Sequence, residues 1–171
     1  YESGFGVDNP GYVPKPGEKS RSFSGGYFDA GDDDTFTYHL RATAQSLLIY
    51  EAFPGIFKDA DLNLPESGNK IPDILDEALW GLSFYQDNQR PDGAIHLGQG
   101  NDQDYIREIQ GKKGKRPAFG LLDPRNNSAT EYAAVAAQTA RLLRPFDAAK
   151  ADKLVASAKA AYAWAKANPD Q

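Results

Sequence analysis

Four stretches of the chain carry apolar side chains at helical spacing. Residues 37–53 place Leu40, Ala44, Leu47 and Leu48 on one stripe, and the pattern stops at Pro54-Gly55, a pair that cannot continue a helix. A second stretch opens at Pro72, whose fixed φ suits a first helical position, and runs to about residue 89. Ile71, Leu75, Ala78, Leu82 and Tyr85 form its core stripe, and "NQRPDG" ends it. Asp73, Asp76 and Glu77 fall in its opening turns, where the helix dipole favours negative charge, and are assigned to that role rather than to a site. A third helix is predicted from Ser128-Ala-Thr-Glu131, which has capping-box spacing, through alanines to Pro145. The fourth spans about 147–168, with Leu154, Ala158, Ala161 and Ala165 on one face and a stop before Pro169. These last two helices are adjacent and are predicted to pair antiparallel. Trp80 and Trp164 lie within helical stripes and read as packing residues.

Strand patterning is nearly absent, with "GAIHLG" at 93–98 the one candidate. Residues 1–34 are rich in Gly, Pro, Ser and Asp, and the loop from Gly93 to Ser128 is long for a compact domain, as site-bearing loops are. The class is therefore all-α with long loops. No short-period repeat is present.

Composition narrows the function classes. A chain of 171 residues, 40% hydrophobic and 12% aromatic, can bury a core as one domain. Its net charge of −5 and pI near 5.0 argue against nucleic acid as a partner, and the short basic run "GKKGKR" at 111–116 reads as a solvated loop. No apolar run is long enough for a membrane span. With no cysteine, disulfides and thiolate metal sites are excluded. The chain starts at Tyr1 and contains no Met, so it is expected to be part of a longer product.

The densest chemistry lies in "SFSGGYFDAGDD", residues 22–33. Asp29 and Asp32 flank Ala30-Gly31, and the glycine lets the backbone turn sharply enough for both carboxylates to face one pocket. Two carboxylates around one water suit general-base chemistry, one taking the proton and the other orienting the water. Like-charge crowding is expected to raise at least one of their pKa values. A solvated turn with Asp34 as an N-cap is the competing reading. An EF-hand is not: the pattern counted from Asp29 lacks the required ligand spacing and has Leu40 at the twelfth position. A structural Ca²⁺ site of another geometry stays open; no metal ligand is assigned and no cofactor is expected to be required. His96, one of two histidines, reads either as structural or as a substrate contact.

Three ordered segments resemble glycoside hydrolase family 9, a cellulase family. They are "SGGYFDAGD", "PDILDEALWGLSFYQDNQRPDGAIH" and the alanine-rich "SATEYAAVAAQTARLLRPFDAAKADKLVASAKAAYAWAKANP", together spanning most of residues 22–169. The resemblance implies an all-α (α/α)6 barrel, the six-hairpin toroid, with residues 1–171 as the N-terminal third of one catalytic domain and its C-terminal part absent. It implies inverting hydrolysis of β-1,4 bonds in cellulose or a related β-glucan, with Asp32 as the base and Asp29 holding the same water. The general acid, a Glu near the C-terminal end in that family, has no match here. "LGQGNDQDYIREI" is similar to the family's VGDG-x-x-DH-x-x-W stretch at Gly98, Gly100 and, with one extra residue after Gly100, Asp104, with Tyr105 where His is usual. Candidate sugar-binding residues are then Tyr27, Phe28, Asp33, His96, Asp104 and Tyr105. Expected partners are a β-glucan polysaccharide or oligosaccharide and the rest of the catalytic domain, with no nucleic acid and no membrane. The substrate class implies a secreted or periplasmic protein. Two alternatives are carried: an exo-acting relative on amino-sugar oligosaccharides, favoured by Asp33 and Asp34 beside the base, and a non-catalytic helical carbohydrate-binding module.

Overall fold

The computed structural model describes residues 2–4, 21–27, 38–100 and 120–171. Two pairs of short strands and four helices make up the described fold. β1 (Glu2–Gly4) pairs antiparallel with β2 (Arg21–Phe23), and α1 (Tyr38–Ala52) and α2 (Asp73–Asp87) follow. β3 (Gln99–Gly100) then pairs antiparallel with β4 (Gly120–Leu121), before α3 (Asn126–Leu143) and α4 (Ala148–Ala167).

The inward stripe of α1 is Leu40, Thr43, Leu47 and Tyr50, so Leu48, expected in the core, is instead 59% exposed. A helix turns about 100° per residue, and the face defined by Leu47 carries its neighbour outward. Thr43 takes an inward place because its hydroxyl is satisfied locally by the His39 carbonyl at 3.3 Å. The predicted stripe of α2 is buried throughout. Pro72 sits one position outside that helix, with ψ of 130°, and its carbonyl accepts the first helical bonds from Leu75 and Asp76.

α3 begins earlier than its capping-box spacing predicted. Ser128 lies fully buried inside the first turn, so the box does not form. Asn126 draws the start forward: its side-chain amide donates to the carbonyls of Ala165 (2.7 Å) and Asn168 (2.9 Å), closing the C-terminal end of α4. At the other end of that helix, Asp147 is the N-cap and accepts from the Lys150 amide at 2.9 Å.

The side-chain ties set the helix directions. Asn126 at the start of α3 meets the end of α4, and Arg144 after α3 pairs with Asp152 near the start of α4, so the two helices are antiparallel. Arg41 to Glu131 and Glu51 to Arg141 run in the same order along α1 and α3, which are therefore parallel. Ala129, Ala133, Ala136 and Ala140 on α3 and Ala151, Leu154, Ala158, Ala161 and Ala165 on α4 are buried, and small side chains allow close helix approach. Tyr132 is buried between them, which pushes its phenol up to about 12. Its hydroxyl donates to Ser157 Oγ at 2.7 Å, which donates in turn to Gln89 Oε1 at 2.6 Å, linking α3 and α4 to the end of α2. Trp164 is partly buried against this core, whereas Trp80 is 41% exposed.

"GAIHLG" does not form a strand. Ala94, Ile95 and His96 are buried in succession, leaving no alternation of faces, and His96 makes only an isolated bridge to Pro124. The ladder lies just beyond, at Gln99–Gly100.

The charges at the start of α2 do more than meet its dipole. Asp73 is fully buried and accepts from the Ala60 amide (2.9 Å), the Leu62 amide (2.7 Å) and Ser67 Oγ (2.9 Å), folding the 58–72 connection onto the helix. Burial pushes this carboxyl up, but those donors together outweigh it and hold it below the usual range. Asp76 is buried too and bonds to the Asn69 amide at 3.0 and 3.1 Å; there burial wins and the carboxyl is raised.

Asp73→Asn places an N–H₂ group among three donors, and is expected to lower the thermal midpoint. A folded-state pKa held below the unfolded value contributes stability above about pH 3.9 that is lost as pH falls through the lowered folded value. The gap between wild type and variant should therefore be widest above that pH and close in acid, as measured by thermal unfolding across pH 2–7.

Apolar surface remains open at the end of α1 and just beyond it. Leu48, Ile49, Phe53 and Ile56 are 50–66% exposed. An alanine-lined groove of about 390 Å³ runs between α3 and α4 beside Tyr162.

Candidate functional site

The carboxylate turn is entered through Ser24 to Tyr27, and the structure shows how that entry is held. Gly25 and Gly26 adopt positive φ of 80° and 70°, a conformation that other residues rarely hold. At Gly25 a Cβ would overlap Ser83 Oγ, so the main chain lies directly on α2. Gly26 is bonded in both directions to one residue: its amide donates to the Trp80 carbonyl at 2.9 Å, and Trp80 Nε1 donates to its carbonyl at 3.1 Å. Trp80, expected to be a packing residue, is thus a half-exposed clamp.

Tyr27 turns into the gap between α1 and α2. Its hydroxyl donates to Glu77 Oε1 at 2.7 Å and lies 3.2 Å from the Glu77 carbonyl. Its ring lies 6.1 Å, centroid to centroid, from that of His39. The space for it exists because α2 has Gly81 there; a Cβ would overlap Thr43 Oγ1 and come within 3.1 Å of Tyr27 Cε2. Burial, reinforced by the hydrogen bond and charge of Glu77, raises the Tyr27 phenol well above its usual value, so it remains a protonated donor. Glu77 is therefore committed to this contact, beyond the helix-start electrostatics that its place in the sequence suggests.

The second loop of interest leaves and returns through the β3–β4 ladder. Leu122 N donates to the Gly98 carbonyl at 3.0 Å, and His96 Nδ1 lies 2.8 Å from the Leu122 carbonyl. A carbonyl only accepts, so Nδ1 carries the proton and the tautomer is set by the fold. The imidazole is buried, and at Nδ1 it serves to tie the two ends of the loop together. Gln99, also buried, has a side-chain oxygen with no hydrogen-bond partner among the described residues.

Of the residues singled out from the sequence, Tyr27 and His96 are in the described structure. Asp29, Asp32, Phe28, Asp33, Asp104 and Tyr105 lie outside the described residues. Sequence reading missed Thr43, Glu77, Trp80 and Gly81 as the surroundings of Gly26 and Tyr27. One signal was available: a glycine in the middle of a helix costs about 1 kcal/mol against alanine, so Gly81 after Trp80 called for a packing reason. Among the described residues no group of three or more His, Cys, Asp or Glu side chains could hold a metal ion, and no helix is long and apolar enough to cross a membrane.

Comparison with known proteins gives one consistent family. The model of the family described as Glycosyl hydrolase family 9 matches residues 5–171. The chain is 32% identical over 156 residues to Endoglucanase C of Cellulomonas fimi, covering 85% of this chain and 14% of that protein. It is 28% identical over 157 residues to Endoglucanase D of Acetivibrio thermocellus, covering 84% of this chain and 23% of that protein. The crystal structure of a metagenome-derived glycoside hydrolase family 9 endoglucanase superposes with a TM-score of 0.70 at 32% identity, over 98% of this chain and 33% of that one. Such enzymes are (α/α)6 barrels, and the paired helices described above are part of such a barrel. The chain thus spans a third or less of the length of these relatives.

Proposed function

The chain belongs to glycosyl hydrolase family 9, and from that premise we propose that the whole protein hydrolyses β-1,4-glycosidic bonds of cellulose or a related β-glucan with inversion at the anomeric carbon. Residues 1–171 are the N-terminal portion of its catalytic domain. Asp32 is the general base that activates water, and Asp29 orients the same water. The general acid is a Glu outside these residues, placed about 6.5–9.5 Å from the base so that the water fits between them. Phe28, Asp33, His96, Asp104 and Tyr105 are the proposed sugar contacts. No cofactor takes part in the chemistry, and a polymeric substrate places the protein outside the cytoplasm, secreted or periplasmic.

The observation that carries this reading is the family match across residues 5–171, which takes in the DAGD turn and the helices that seat its entry. Both curated relatives are named endoglucanases, which supports a β-glucan as substrate. The full-length protein is expected to release reducing ends from carboxymethyl cellulose and cello-oligosaccharides. Release from chitosan oligosaccharides instead would favour the amino-sugar reading that Asp33 and Asp34 suggest. Saturable binding of cello-oligosaccharides without turnover would favour a non-catalytic carbohydrate-binding module.

A further inference from the structure

We propose that Tyr27, held by Glu77, is a positioning residue for the base-bearing turn rather than a sugar contact. The inference rests on the family 9 reading of Asp32 and extends it to residues with no assigned role. Tyr27 is two residues before Asp29 and five before Asp32 in the chain, so whatever fixes Tyr27 fixes the origin from which the turn departs. Three independent contacts do so: the two opposed Gly26–Trp80 bonds on the main chain, and the Tyr27 hydroxyl on Glu77.

These contacts differ in what they control. The Gly26–Trp80 pair holds the backbone just ahead of Tyr27. The phenol of Tyr27 reaches into the α1–α2 gap, and its 2.7 Å bond to Glu77 Oε1 supplies a second, separated point of attachment. Two fixed points define a direction as well as a position. A general base depends on that direction, because misplacing a reacting group by about 1 Å can cost on the order of 10²-fold in rate. A hydroxyl already donating to Glu77, on a ring set between Thr43 and Gly81, is poorly arranged to follow a sugar. The same arrangement is well suited to hold a neighbouring turn still.

The test compares Tyr27→Phe, Glu77→Ala and Glu77→Gln in the full-length protein. Tyr27→Phe keeps the ring and removes the hydroxyl; kcat on cello-oligosaccharides is expected to fall about tenfold while KM stays within about twofold. Glu77→Ala removes the 2.7 Å acceptor and leaves the Glu77 carbonyl at 3.2 Å, so it should lose no more than Tyr27→Phe does, and the double variant should be no worse than Tyr27→Phe. Glu77→Gln should recover most of the kcat lost in Glu77→Ala, since the amide oxygen accepts the same hydrogen bond. A raised KM with kcat intact would overturn the proposal and make Tyr27 a sugar contact. A lowered thermal midpoint with both constants unchanged would overturn it in favour of a purely structural role.

Amide hydrogen exchange gives a readout that does not need turnover. Peptides covering residues 24–34 should exchange about tenfold faster in Tyr27→Phe than in wild type, with those of α3 and α4 unchanged, as expected for local loss of an anchor. Equal exchange would refute the anchoring itself. A wild-type protein inactive on every β-glycan would instead refute the family-based function and leave exchange to decide the anchor.

Discussion

Replacing Asp32 with alanine in the full-length protein is expected to lower the rate of β-glucan hydrolysis by about 10²–10⁴-fold while oligosaccharide binding changes little. The base acts on water, so its removal deprives the transition state of proton transfer without loosening the grip on the sugar. An inverting enzyme also has no covalent intermediate through which a second route could run. Asp29→Ala should cost less, because a carboxylate that orients the water does not take its proton. Initial rates and isothermal binding on the same preparations separate the two effects. Equal losses in both variants would mean that the two carboxylates share one role instead of dividing the work.

Gly93→Ala is expected to lower stability by about 2–5 kcal/mol. Gly93 has φ of 95°, where any side chain is strained, and a Cβ there would overlap the backbone carbonyl of Ala160 in α4. A clash with a flexible side-chain end can be relieved by rotation; a clash with a helix carbonyl cannot. The Gly93 carbonyl also accepts from Gln89 Nε2 at 3.1 Å, so a shift there loosens the Tyr132–Ser157–Gln89 network joining three helices. Gly55→Ala is the matched control, because a Cβ at Gly55 meets open space and its φ is not in the left-handed range. Chemical denaturation of both variants measures the difference. A Gly93→Ala midpoint equal to that of Gly55→Ala would contradict the packing at this turn.

The helices are legible in the sequence because their information is local. Leu75, Ala78, Leu82 and Tyr85 recur at helical spacing and are all buried, and Pro54, Pro145 and Pro169 lie close to where helices stop. Pattern and structure part where a distant partner decides a local feature. Leu48 faces outward because the inward face of α1 is set by what packs on Leu47 and Thr43. The start of α3 lies ahead of its capping-box spacing because Asn126 serves the far end of α4, a contact between residues about forty positions apart in sequence.

The site divides in the same way. The carboxylates of the turn can be picked out as a motif, since crowded like charge next to glycine is a local pattern. The partners of Tyr27 just ahead of them cannot, beyond the hint of a mid-helix glycine: Tyr27, Thr43, Glu77 and Gly81 meet only after α1 and α2 pack together. Glu77 in isolation looks like one more acidic residue in the first turns of a helix. Its pairing with Tyr27, fifty residues earlier, is a property of the fold.

The measurement bearing most directly on Asp32 as the base is the configuration of the product formed by the Asp32→Ala enzyme in azide. Azide attacks without needing deprotonation, so it replaces the activated water and should restore bond cleavage. Proton NMR of the product from a β-linked oligosaccharide is expected to show an α-glycosyl azide, formed by a single displacement. A β-glycosyl azide, or an Asp32→Ala enzyme that turns over at near wild-type rate without azide, would contradict the assignment.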